Sequence, residues 1–349
     1  MTALQQPLIV RLNARTMPLG QEERQLLAQL KPRMVEIEGA TDEEILAACR
    51  GADAIMIISA YLRTAVIHEL AHCRIISRLG TGVDKIDVAE ATRKGIIVTN
   101  IPGAFTEEVA DHTLALLLAV ARHVKSLDHE MRRGRQPRDI THFHRLSTQT
   151  AGIIGFGLIG RAVARRCRAF GMRVLACDPA LTPELAAREA VTPADLDTVL
   201  AEADYLCLLC PLLPATRGML AMPQFRKMKR TAVLINTARG ELVNEDDLAT
   251  ALKEAVIRYA ALDVFGAVNV FAADGFPTAH PLFKLDNVLL SPHMAAASQE
   301  ALSDCRRRGA NAVVDVLSGR WPACAVDPTV TPWFPFPARE PDRTGRSIG

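Results

Sequence analysis

Short, almost wholly apolar runs alternate with stretches of helical period along most of this chain. In the first hundred residues strands are expected at Leu8–Leu12, Met34–Ile37, Ala54–Ile58, Arg74–Leu79 and Ile96–Thr99. Helices are expected at Gln21–Leu30, about Asp42–Cys49 and about Val88–Lys94. Strands that are apolar on both faces, separated by helices, predict a parallel sheet covered on both sides. Asn100-Ile-Pro-Gly103 breaks the pattern. One long helix then runs from about Thr106, which can cap it, to Arg133. Its apolar residues go nearly all round between Leu114 and Val120, so it is expected to be buried on more than one side.

After a polar connection, Gly134 to Ser147, the alternation resumes. Strands are expected at Ala151–Ile154, Arg173–Cys177, Tyr205–Leu209, Ala232–Asn236, Tyr259–Leu262 and Val288–Leu290. Helices include Leu158–Phe170 and Glu245–Glu254, and a last one covers about Ser298–Ser318. The segment 328–349, rich in Pro, Arg and Gly, is expected to be loose or to lie over a neighbour.

Composition narrows the class. Of 349 residues 49% are hydrophobic but only 5% aromatic, which excludes whole-chain disorder and suits helix-on-sheet layers of small aliphatics. A net charge of +2 gives no global basic surface, so no nucleic-acid partner is expected. The longest apolar run, Leu114 to Ala121, falls far short of the roughly 20 residues of a membrane span. The start of the chain has no secretory pattern, and eight scattered cysteines read as reduced thiols. Both point to a cytoplasmic protein without a membrane partner.

Gly155-Phe-Gly157-Leu-Ile-Gly160 carries the sharpest chemistry. It follows an apolar strand, opens a helix, and is followed about 20 residues later by Asp178 at the end of the next strand, as in a dinucleotide-binding βαβ unit. Gly155 permits the tight turn, Gly157 lets the backbone approach a pyrophosphate, and Gly160 lets helix and strand pack closely. The free N–H groups at the helix start, where Leu158 and Ile159 stand, suit phosphate oxygens. Asp178 suits ribose hydroxyls and repels a 2′-phosphate. NAD is therefore expected over NADP.

From here the chain resembles the D-isomer-specific 2-hydroxyacid dehydrogenases. The resemblance rests on Gly80-Thr-Gly-Val-Asp84, Asn100-Ile-Pro-Gly103, Glu108-Val-Ala-Asp-His-Thr113, Gly155 to Gly160, Cys210-Pro-Leu-Leu-Pro-Ala-Thr-Arg217, Asn236-Thr-Ala-Arg-Gly240, Leu262-Asp-Val-Phe265 and Ser291-Pro-His293. It implies an α/β protein in which a Rossmann-type NAD-binding domain, 102–293, is inserted into a flavodoxin-like catalytic domain, 1–101 and 294–327. It further implies an NAD-dependent oxidoreductase acting on a small anionic D-2-hydroxy acid and its 2-oxo acid, and a homodimer. Arg239, just after a strand, can grip a 2-oxo acid bidentately. His293 is the acid/base that moves the hydroxyl proton. The backbone of Thr81 and Gly82 holds the substrate carboxylate. Asp263 resembles the residue that binds the nicotinamide amide, and Thr106, Cys210, Pro211, Thr216, Thr237 and Ala238 match cofactor-lining positions.

One departure matters. Family members usually read Asp-Val-Phe-Glu-x-Glu-Pro after the penultimate strand, and the second Glu pairs with the catalytic His. Here Gly266 and Val268 stand in those places, and Asp274 is the only acid in the stretch Asn269 to Ala279 that follows. A carboxylate neighbour raises a histidine's pKa and orients its ring. Without one, reduction is expected to lose activity sooner as pH rises, unless Asp274 folds back to serve. The gap also admits an alternative, an NAD(H)-binding regulatory protein with weak or lost turnover.

Other signals have plain readings. Cys207 and Cys210 are spaced like a redox pair, but strand alternation sends them to opposite faces, and no second ligand pair implies a metal. His142 and His144, and Arg132, Arg133, Arg135 and Arg138, read as a solvated helix end and linker. Trp321, Trp333 and Phe334 stand out in an aromatic-poor chain and are expected to anchor the tail on the catalytic domain or a second subunit.

Overall fold

A computed structural model describes residues 6–136, 139–271, 275, 276 and 278–339. The chain begins with β1 (Leu8–Arg11), α1 (Gln21–Leu27), β2 (Arg33–Glu36), α2 (Asp42–Cys49) and β3 (Ala54–Ile57). It continues through α3 (Thr64–His68), β4 (Ile75–Arg78), α4 (Val88–Arg93) and β5 (Ile97–Thr99). These five strands are all parallel, in the order β2-β1-β3-β4-β5. That is the flavodoxin-like order. β3 is buried at every position, which is why its sequence shows no polar alternation. Arg11, at the end of β1, is fully buried and pairs with Glu23 of α1 at 3.0 Å. Burial pulls the Arg11 pKa down, and the Glu23 carboxylate opposes that shift. Removing one partner alone would strand a buried charge, at a cost of about 3–5 kcal/mol.

The long helix expected from Thr106 to Arg133 is two helices, α5 (Thr106–Ala121) and α6 (Val124–Arg132). Thr106 is the first residue of α5. The break lies at His123, whose φ of 54° is left-handed. Its ring lies 4.6 Å from that of Phe143, and its Nε2 is 2.8 Å from Arg258 Nη2. Those partners are distant in sequence, so helical periodicity carries no trace of the break.

Next come β6 (Thr150–Ile154), α7 (Leu158–Ala169), β7 (Arg173–Cys177), α8 (Pro183–Glu189), β8 (Thr192–Pro193), α9 (Leu196–Glu202) and β9 (Tyr205–Leu208). They are followed by α10 (Met222–Phe225), β10 (Val233–Asn236), α11 (Glu245–Lys253), β11 (Tyr259–Leu262), β12 (Val288–Leu290) and α12 (Gln299–Leu317). β6 to β12 form one parallel sheet in the order β12-β11-β10-β9-β6-β7-β8. The order reverses between β6 and β9, and in open α/β sheets ligands bind at such a switch point, outside the carboxyl ends of the strands. One face packs Leu117 of α5 and Ala164 of α7 into a core; the other packs Phe225 and Leu248. Cys207 belongs to the first core and Cys210 to the second, so the two thiols do face opposite ways.

The chain divides into two compact units, Met1–Phe105 with Ser298–Gly349, and Thr106–Ala297. The Ser298 side chain caps α12 by accepting the Ala301 N–H, and within the first unit Ser77 Oγ donates to the Gly309 carbonyl at 3.0 Å. Of the two fates expected for the tail, loose or anchored by its aromatic residues, residues 328–339 show the second and pack against that unit. Val330 and Phe334 are buried, and Trp333 Nε1 donates to the Cys73 carbonyl at 2.9 Å. A Cβ on Gly95 would meet Thr331 O and Trp333 N at 2.5 Å, so the tail passes close over that turn. Its rings meet edge to face in sequence, Trp333 with Phe334 and Phe334 with Phe336. That aromatic burial offsets the entropy of ordering a Pro-rich segment. No described helix is long and apolar enough to cross a membrane.

Candidate active site

The glycine turn sits at the end of β6, at the switch point of the second unit. Gly155 has φ +94°, and a Cβ there would lie 2.4 Å from Cys210 N. A Cβ on Gly160 would lie 2.2 Å from Gly155 O. Both glycines are thus required by backbone packing. Gly157, the N-cap of α7, differs: it is exposed, and a Cβ there meets nothing within 4 Å. The space a Cβ would fill is open above the first N–H groups of α7, at Leu158 and Ile159. A pyrophosphate needs such a cradle. Asp178, at the end of β7, accepts the Phe156 N–H at 2.6 Å and the Ala180 N–H at 2.8 Å. The carboxylate is thereby held beside the turn. These residues fit a dinucleotide.

Two further strand ends in this unit carry the expected chemistry. β10 ends at Asn236, whose side chain shapes the Thr237-Ala-Arg239 turn. Asn236 Nδ2 donates to the Arg239 carbonyl at 2.8 Å, and its Oδ1 accepts the Ala238 N–H at 3.1 Å. Arg239 is half-buried and donates from Nη1 to the Ala238 carbonyl at 2.7 Å. Gly240 has to be glycine, because a Cβ would collide with the backbone of Phe265 and Gly266 at 2.1 Å. β12 ends just before Ser291-Pro-His293. His293 is half-buried with φ +57°, a left-handed conformation that costs a residue other than glycine about 1 kcal/mol or more.

Asp263, one residue past β11, lies between those two turns. Its carboxylate is 0% exposed. Oδ1 accepts from Ser291 Oγ and from the Met294 N–H at 2.9 Å, Oδ2 accepts the Ala295 N–H at 3.0 Å, and the Asp263 carbonyl accepts the His293 N–H at 2.8 Å. His112 of α5 lies 3.4 Å from Oδ1. Burial alone would push the Asp263 pKa up, but the donors from His112, Ser291, Met294 and Ala295 outweigh it and hold the group below the ordinary carboxylate range. The structure therefore turns Asp263 inward, to the His293 segment.

Thr81 and Gly82 lie in the first unit, in a turn tied down by Asn100 Nδ2 donating to Thr81 O at 2.8 Å and Arg78 Nε donating to Gly82 O at 3.0 Å. Cys210 is buried, its thiol pushed up to about 11 by burial. Thr216 organises the 211–216 turn, donating to the Pro211 carbonyl at 2.7 Å and accepting the Leu213 N–H at 2.8 Å. Val268, where the paired Glu is expected, is buried. Asp274 lies outside the described residues. Instead an aromatic ring, Phe271, packs 5.1 Å from the His293 ring. Neither Arg239 nor His293 is a free side chain.

Sequence reasoning passed over three residues. His112 and Ser291 stand inside the recognised motifs without an assigned task. Asn13, after β1, has φ +61° and gathers the N–H groups of Ile58, Ser59 and Ala60 on its Oδ1. A buried Asn at the carboxyl end of a strand was the available signal.

Comparison with known proteins now adds a family. Residues 114–295 match the family model described as D-isomer specific 2-hydroxyacid dehydrogenase, NAD binding domain. The glyoxylate reductase of Korarchaeum cryptofilum is 40% identical over 262 residues, covering 74% of this chain and 77% of that protein. The chain belongs to the D-isomer-specific 2-hydroxyacid dehydrogenase family. Its second unit holds the family's NAD-binding domain. This family member is also 37% identical over 307 residues to the D-3-phosphoglycerate dehydrogenase of Methanocaldococcus jannaschii, covering 87% of this chain but only 57% of that longer protein. Among solved structures it resembles the D-lactate dehydrogenase of Aquifex aeolicus complexed with NAD and lactic acid. That match has a TM-score of 0.79 and 26% identity, over 89% of this chain and 96% of the other. These relatives are dehydrogenases and reductases by name, so the regulatory alternative is not retained.

Proposed function

We propose that this protein is an NAD-dependent oxidoreductase that interconverts a small D-2-hydroxy acid and its 2-oxo acid. The reading is carried by Arg239 and His293 standing at the carboxyl ends of β10 and β12, on either side of β11, in the unit that bears the glycine turn. Two strand spacings separate those ends by about 10 Å, a distance across which long side chains can converge on one small molecule. Bound NAD supplies the hydride chemistry. The residues of the chain do the rest. The N–H groups at the start of α7 hold the pyrophosphate, and Asp178 accepts from ribose hydroxyls. Thr106, Cys210, Pro211, Thr216, Thr237 and Ala238 line the cofactor. Arg239 grips the carboxylate and carbonyl oxygens of the acid. His293 gives a proton to the carbonyl oxygen during reduction and takes it from the hydroxyl during oxidation.

The test is NADH fluorescence and oxidation with glyoxylate, hydroxypyruvate, pyruvate and larger 2-oxo acids. Turnover of at least one acid, lost in His293→Asn, is expected. Tight NADH binding with no oxidation across the panel would overturn the reading.

The same reading includes a homodimer. α6 has no buried residue, yet Val124, Leu127 and Met131 recur on one face, with Val124 54% and Met131 76% exposed. Nearby Ile140 is 72% exposed. A second copy of the chain covers such a stripe at the lowest solvation cost.

A further inference from the structure

α5 carries two adjacent polar residues that reach two different strand ends. His112 Nε2 lies 2.9 Å from Ser291 Oγ. Ser291 Oγ donates its one hydrogen to Asp263, so it accepts the His112 N–H. Asp263 in turn binds the N–H groups of Met294 and Ala295 and, through its carbonyl, that of His293. The next residue, Thr113, is fully buried. Its hydroxyl donates to the Val109 carbonyl at 2.7 Å and so accepts from Thr237 Oγ1 at 2.8 Å, beside Ala238 and Arg239.

Neither chain of bonds builds the sheet, because β10, β11 and β12 are already paired backbone to backbone. Both bury polar groups that apolar residues of like shape could replace without the desolvation cost. What they do is tie one rigid helix to both reactive turns.

We propose that α5 braces the two turns against each other: Thr113, through Thr237, sets the Arg239 turn, and His112, through Ser291 and Asp263, sets the His293 turn. These are positioning residues; they act through Arg239 and His293. The left-handed backbone of His293, φ +57°, costs about 1 kcal/mol, so its turn gains from external holding. The kinetic consequence rests on the dehydrogenase reading, while the geometric one does not.

The test uses the full chain with His112→Leu and Thr113→Val, and the conservative partners His112→Gln, which keeps a donor near the Nε2 position, and Thr113→Ser, which keeps the hydroxyl. Amide hydrogen exchange without added substrate reads the turns directly. His112→Leu should speed exchange in the 291–298 segment by roughly tenfold and spare 237–243, and Thr113→Val should do the reverse. With NADH and whichever of glyoxylate, hydroxypyruvate and pyruvate is reduced, kcat should fall by roughly tenfold in each while KM for NADH stays within about twofold. The Gln and Ser variants should restore both readouts. Unchanged exchange in both apolar variants would overturn the brace. So would both segments loosening together with a lowered Tm in either variant, which is general destabilisation. If the wild-type protein reduces none of the acids, the dehydrogenase reading fails, and the exchange result alone still upholds or rejects the brace.

Discussion

Arg239 and Asp263 both carry charge, to different ends. Arg239 offers a planar fork to an anion, so Arg239→Lys keeps the charge and loses the second hydrogen bond. A charge-assisted bond is worth about 1.5–3 kcal/mol. On that basis kcat/KM for the reducible acid should fall about 10- to 100-fold, with NADH affinity by fluorescence titration unchanged; a value near wild type would remove Arg239 from the substrate. Asp263 spends its charge inward. Its pKa is depressed in the fold. Its contribution is therefore complete above the ordinary carboxylate pKa and disappears as pH falls through its own lower value. Asp263→Asn keeps the shape, loses the charge, and should unfold about 2 kcal/mol more easily at neutral pH. The Tm gap between the two proteins should narrow as pH is lowered through about 4. A gap that widened on acidification would contradict this sign. At this scale the sequence pointed to Arg239 and His293, because each follows a strand in a recognisable turn, and the structure does place both just past strand ends. The sequence held no record of the inward bonds of Asp263, because which way a side chain faces depends on Ser291 and His112, which are far away in sequence.

The glycine turn shows how one element mixes folding and function. Gly160 sits against backbone, and Gly157 faces open space. Gly160→Ala should therefore lower Tm markedly. Gly157→Ala should leave Tm within a few degrees yet weaken NADH binding by about tenfold or more, since a methyl would occupy the phosphate cradle. Equal effects of the two substitutions on Tm would refute the distinction. The same separation runs through α5 and α6. Their joint apolar period reads as one helix, yet the two differ in burial: α5 is buried among sheet and helix, and α6 shows its apolar stripe outward. Met131→Asp should shift sedimentation from dimer toward monomer without lowering helix content by circular dichroism. An unchanged assembly would place the interface elsewhere.

For the molecule as a whole, cofactor binding and stability are linked. NADH at 100 times its Kd should raise stability by about 2.7 kcal/mol. Calorimetry should show that rise, and Gly157→Ala should lose most of it at the same NADH concentration. A rise undiminished in Gly157→Ala would place NADH away from the glycine turn. The linkage acts through the second unit, whose sheet order puts the turn at the switch point between β6 and β9.

The sequence by itself determined the class of layers, nearly every strand, the glycine turn and the standing of Arg239 and His293 just past two strand ends. All are local patterns: apolar runs, turn residues and short motifs whose backbone needs are written in a few neighbouring residues. Only the tertiary structure decided the break at His123, the packing of the aromatic tail over Gly95, the inward turn of Asp263 and the reach of α5 to two strand ends. Each depends on groups brought together from distant parts of the chain, and a local pattern holds no record of such partners.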